Sequence, residues 1–124
     1  MDHLLKYAGG EEKDIFMRRI AIAGLGKLQA TNAIDLLVDI FPNSLLRGEA
    51  DAALKRIGAP AEKAVLAKLL AHSDVFVRAA ACGVLKEVGT KESMPALQEA
   101  QKSGGIHVSG RAAEALQAIA AREK

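Results

Sequence analysis

Three observations predict an all-α array of stacked helical hairpins. The pattern D-x-x-V-R-x-x-A-x-x-x-L-x-x-V-G, read from Asp74 to Gly89, recurs from Asp14 and Asn43 and, weakened, from Gly105. Inside each copy the apolar residues fall at the spacing of a single helical face. Between copies lies a second, shorter stretch with the same kind of periodicity. Internal repetition outranks local propensity as a guide to fold, because neither helix of such a unit could bury its stripe alone.

Aligned on the arginine, the copies are spaced 29, 31 and 31 residues apart and need no gap within the block. The head position reads Asp14, Asn43, Asp74, Gly105, and the arginine position Arg18, Arg47, Arg78, Ser109. Apolar columns come next: Met17, Leu46, Val77, Val108; then Ala21, Ala50, Ala81, Ala112; then Leu25, Leu54, Leu85, Leu116; then Leu28, Ile57, Val88, Ile119. Met17, Ala21, Leu25 and Leu28 stand at i, i+4, i+8 and i+11, a stripe on one leading helix. The Asp or Asn at the head is expected to cap that helix by accepting from its first free N–H groups. The arginine is expected to tie back to the cap and to the neighbouring repeat, so Asp14, Arg18, Asn43, Arg47, Asp74 and Arg78 form a structural ladder. Gly58 and Gly89 are expected as terminating glycines, with Gln29 and Ala120 holding that place in the outer copies.

Each leading helix is succeeded by a trailing one. The first opens at Thr31, a candidate cap, and stops at Pro42. The second runs from Pro60, where a missing N–H is harmless, to His72. The third spans Lys91 to Lys102 behind a Thr90 cap, with Pro95 late in the first turn as a source of distortion. Apolar columns continue through these helices as Leu37, Leu66, Leu97 and Ile40, Leu69, Ala100.

The pattern, with its short apolar second helix, resembles the HEAT repeat, most closely the compact type found in phycobilisome lyase subunits and bacterial scaffold proteins. The resemblance covers residues 14 to 122. It implies a right-handed α-α superhelix of armadillo type. The expected plan is a single domain over 1–124: a partial preceding repeat in 1–10, full repeats in 11–42, 43–72 and 73–103, and a final helix in 104–124. Leu4 and Leu5 lie where a preceding trailing helix would carry apolar residues, and Gly9-Gly10 parallels Gly104-Gly105. An array that begins and finishes on half-repeats is either capped by them or a piece of a longer solenoid or multidomain protein; the second is the expectation, since solenoids ordinarily end in polar caps.

Composition agrees with helix packing. Half of the 124 residues are apolar, with three Phe, one Tyr and no Trp. A net charge of +2 is too small to announce a polyanion partner, although the pI is 8.8. The single cysteine gives no internal disulfide and no sign of an oxidising compartment. Without a signal-peptide pattern or a run of ~20 apolar residues, a cytoplasmic domain is expected.

No residues suggest catalysis, a cofactor or a metal. His3, His72 and His107 fall in different repeats and in no metal-ligand spacing. The iron-binding HEAT enzymes, the deoxyhypusine hydroxylases, carry His-Glu dipeptides that this chain lacks. Cys82 is expected as a small buried residue, although Asp51 in its column leaves a water-facing thiol open. Gly24-Leu25-Gly26 lies in a helix rather than at a strand-to-helix turn, so close packing suits it better than phosphate binding.

In the HEAT architecture the trailing helices line the concave face where partners bind. The resemblance thus directs attention to Asp35, Asp39, Lys63, Lys68, Gln98 and Glu99. Their mixed charge suits another protein, or another domain of the same chain, as the partner. A nucleic-acid groove would show a positive stripe with aromatics, and a membrane partner a long apolar span. The expected function is a non-catalytic interaction or scaffold module. A phycobilin lyase-like subunit is the second expectation, carried by repeat type alone, and a nucleic-acid-binding solenoid the third.

Overall fold

A computed structural model describes residues 15–123, so Asp14, His3 and the partial repeat over 1–10 lie outside the described residues. All regular elements among the described residues are helical. The chain divides into two compact units, Met1–Ile57 and Gly58–Lys124.

The first unit holds α1 (Ile15–Lys27), a 3-10 turn (Thr31–Ala33), α2 (Ile34–Ile40) and α3 (Arg47–Ile57). Ala21, Ile22, Leu25 and Gly26 form the buried face of α1. Gly26 is needed there: a Cβ on it would stand 2.8 Å from Ala53 Cα of α3. The predicted stripe is corrected at its two ends, for Met17 is 39% and Leu28 58% exposed. Their equivalents Leu46 and Ile57 are buried, because α3 has α1 and α2 to pack on. Nothing among the described residues plays that part for α1.

Helix α1 ends as expected of a position usually given to glycine. Gln29 takes φ 51°, its N–H donates to Gly26 O, and Ala30 N–H donates to Leu25 O. These paired bonds satisfy the last carbonyls of the helix. Thr31 does not cap the trailing segment; it is the first residue of the 3-10 turn, whose preceding residue is Ala30.

In the second unit a 3-10 turn (Ala59–Ala61) leads into the short α4 (Glu62–Ala64), which continues as a π-helical stretch (Val65–Leu69). Then come α5 (Val75–Val88), a third 3-10 turn (Lys91–Ser93), α6 (Met94–Ser103) and α7 (Ile106–Arg122). Every trailing segment therefore opens on a 3-10 turn. Pro60 sits in the second of these turns and Pro95 at the start of α6, where no helical N–H is lost. Pro95 distorts nothing, and Thr90 Oγ1 accepts from Glu92 N–H as the predicted cap. Val77, Ala81, Leu85 and Val88 bury the stripe of α5; Val108, Ala112 and Ile119 bury that of α7, where Leu116 is half-buried. Gly58 has φ 83°, as a terminating glycine should. Gly89 has φ −72° instead, and is required because a Cβ would meet Leu85 O at 2.5 Å and Ile119 Cδ1 at 2.9 Å. Ala120 terminates nothing, since α7 runs on to Arg122.

The π stretch overturns one predicted column. Ala59 opens its trailing segment 12 positions after Arg47, whereas Thr31 and Lys91 open theirs 13 positions after Arg18 and Arg78. Counted from the turn, Val65 and not Leu66 is the partner of Leu37 and Leu97, and all three are fully buried. The bond from Leu70 N–H to Val65 O closes a wider turn that absorbs an extra residue. Leu69 is thereby returned to the buried face, and Leu66 is left on its edge.

Candidate partner-binding groove

Of the expected ladder, Asp74 caps α5, Asn43 closes a turn ahead of α3 rather than capping it, and Arg47 and Arg78 keep only the tie to the neighbouring repeat. Asp74 Oδ1 accepts from Phe76 N–H at 2.8 Å, and Asn43 Oδ1 from Leu45 N–H at 2.9 Å. The arginines do not reach back to these side chains. Arg47 donates through Nε to Phe41 O and through Nη2 to Pro42 O. Arg78 donates through Nη1 to both His72 O and Ser73 O. Each guanidinium thus serves the carbonyls that end the preceding trailing segment. Those carbonyls lack helical partners and carry the negative end of the helix dipole, so a cation is better placed there than on an exposed carboxylate. Arg18 is half-buried in α1.

The predicted binding residues Asp35 and Asp39 are exposed on α2 in the first unit. Lys63, Lys68, Gln98 and Glu99 are exposed in the second. Of these, the second unit brings one into a concavity. Glu99 stands at the rim of a groove of about 350 Å³ between the second and third trailing segments. Leu66 and Leu70 line it from the second trailing segment, Ala96 and Ala100 from the third, with Arg78 of α5 and Val108 of α7. The displaced Leu66 lies here because the π turn rotates it off the buried column.

The columns gave no notice of Glu62. Glu62 is 6% exposed, and its carboxylate accepts from Thr90 N–H at 2.7 Å, from Thr90 Oγ1 at 3.0 Å and from Ser93 Oγ. Counted from the 3-10 turn, Glu62 matches Ile34 and Met94, and Ser93 matches Ala33 and Ala61. A carboxylate in an apolar column and a hydroxyl in an alanine column were the available signal. Together they join α4 to the third 3-10 turn, with three donors satisfying the buried charge.

The remaining reactive groups are committed to structure. Cys82 is fully buried, closing the possibility of a water-facing thiol. Burial pushes its pKa up to about 11, against the opposing charge of Arg111. His72 Nδ1 accepts from Asp74 N–H at 3.0 Å, and the His107 ring lies 5.1 Å from that of Phe76. No described group of His, Cys, Asp and Glu has the makings of a metal site. No described helix is long and apolar enough to cross a membrane.

Residues 17–41 match the family model described as PBS lyase HEAT-like repeat. No curated protein matches the chain. The matched residues run through α1, its terminating turn and α2 to Phe41, the helix-turn-helix unit found here. The chain thus carries a HEAT-like repeat of the PBS lyase type.

Proposed function

We propose that the chain is a non-catalytic interaction or scaffold module. In this reading its hairpins form a right-handed α-α superhelix that offers a helical surface to another protein, or to another domain of its own chain, in the cytoplasm. The groove carries the reading: an open apolar concavity of about 350 Å³ with the charges of Arg78 and Glu99 on its lining. Such mixed lining suits a protein surface better than a polyanion. The satisfied bonds of Glu62 and His72 and the raised pKa of Cys82 support a structural use of the groups that could otherwise do chemistry.

A photo-crosslinking residue placed at Ala96 on the groove rim, and separately at Glu87 on α5, tests this in cells. Both positions are exposed. Protein adducts are expected from position 96 and not from position 87. Adducts confined to position 87 would move the binding face to the leading helices and sink the assignment.

The description of the matched repeat favours one second reading, a phycobilin lyase-like subunit. Adding a bilin to the purified chain separates the two. An unchanged absorption spectrum leaves the interaction module, and a shifted band supports the lyase-like subunit.

A further inference from the structure

The groove has a polarity that narrows what enters it. Arg78 spends Nη1 on His72 O and Ser73 O, and among the described residues neither its Nε nor its Nη2 is bonded. Those donors belong to a guanidinium that lines the groove. The third trailing segment contributes Glu99, whose carboxylate has no ion pair or hydrogen bond among the described residues; only its backbone carbonyl is used, by Ser103 Oγ at 2.9 Å. Between the two charges the lining is aliphatic, with Leu66, Leu70, Ala96 and Ala100. Leucines line the groove from the second trailing segment and short side chains from the third, leaving room for a bulky apolar residue. The π turn that places Leu66 there has no counterpart in α2 or α6, and such turns concentrate at functional positions.

We propose that this groove takes an amphipathic helix of a partner protein. Its apolar anchor enters between Leu66, Leu70 and Ala100, a basic residue meets Glu99, and an acidic residue or the helix's terminal carbonyls meet Arg78. This is the helix-in-groove mode, in which the apolar face gives affinity and the flanking charges give orientation. The inference rests on the reading of the chain as a protein-binding module.

A randomised library of helical peptides panned on the full chain tests it. Binding of each selected peptide is then measured by fluorescence anisotropy to the original chain, to Ala96→Trp and to Glu99→Lys. Both residues are exposed, and matched circular dichroism melts confirm that both variants fold. Selected peptides are expected to share an apolar anchor with a basic residue about one turn away. A96W abolishes their binding, and E99K weakens it about tenfold. Replacing the peptide's basic residue by Glu restores affinity for E99K. Peptides that bind all three proteins equally overturn the groove inference and leave the protein-binding reading standing. A library that yields no binder overturns both.

Discussion

The contact between α1 and α3 makes the same substitution act with opposite sign at two glycines. Gly26 lies within α1 and is buried, and a Cβ there would come 2.8 Å from Ala53 Cα and 3.0 Å from Ala53 Cβ. The first of these atoms is backbone, so relief requires the two helices to part. Gly26→Ala gains about 1 kcal/mol of helix propensity. Overpacking a close helix contact costs typically about 1–3 kcal/mol, and the backbone contact puts this case at the upper end. The net expectation is a loss of about 1–2 kcal/mol, or a fall of several degrees in Tm for a chain this size. Gly110 is exposed within α7, and a Cβ there meets nothing within 4 Å. Gly110→Ala therefore keeps the propensity term alone and should raise stability by up to about 1 kcal/mol. Urea midpoints of the two variants, measured beside the original chain, decide the matter. A G26A variant as stable as the parent would show that α1 and α3 are not held at this separation by the glycine.

Three further perturbations have defined outcomes. Glu62→Ala leaves Thr90 N–H and Ser93 Oγ without their acceptor, and should cost about 2–3 kcal/mol in urea unfolding, the range for stripping a charged acceptor from buried donors. Gln29→Gly relieves a left-handed residue but loses the bond from Nε2 to Arg56 O; a small net gain of about 0.5 kcal/mol in thermal unfolding is expected. The Cys82 thiol holds its proton more tightly folded than unfolded, with a pKa of about 11 against 9.0. Its contribution is full below pH 9.0 and is lost as pH rises toward 11. Stability should therefore fall more steeply across that window in the parent chain than in Cys82→Ala, as read by urea midpoints at successive pH values.

The leading helices were legible in the sequence because their columns are dictated by burial at a fixed helical period. Val77, Ala81, Leu85 and Val88 obey the pattern, and all are buried. Met17 and Leu28 obey the same pattern and are exposed, because a column records a repeat's habit and not the presence of a neighbour. Arg47 and Arg78 reach the preceding repeat as the pattern predicts, but not the head residue of their own. A residue four positions from an aspartate can meet it on a helix, yet helix-ending carbonyls beside Phe41 and His72 attract the guanidinium more strongly. Leu66 and Glu62 were hidden by a one-position difference in where the second trailing segment begins. An alignment anchored on Arg47 passes through that difference unaware, and only hydrogen bonding reveals the wider turn that compensates it. The groove lies where the repeats disagree, and periodicity reports only what they share.

Glu62 has a consequence for how such an array could be rearranged. Hairpins that met through aliphatic contacts alone would tolerate an exchange of repeats. The carboxylate would not, since it demands a successor that supplies a hydroxyl where Ala33 and Ala61 have only a methyl group. Duplicating the second hairpin, or setting it before the first, would strand a charge in the interior. The pair Glu62 and Ser93 therefore writes an order into an otherwise interchangeable series, fixing which unit comes next.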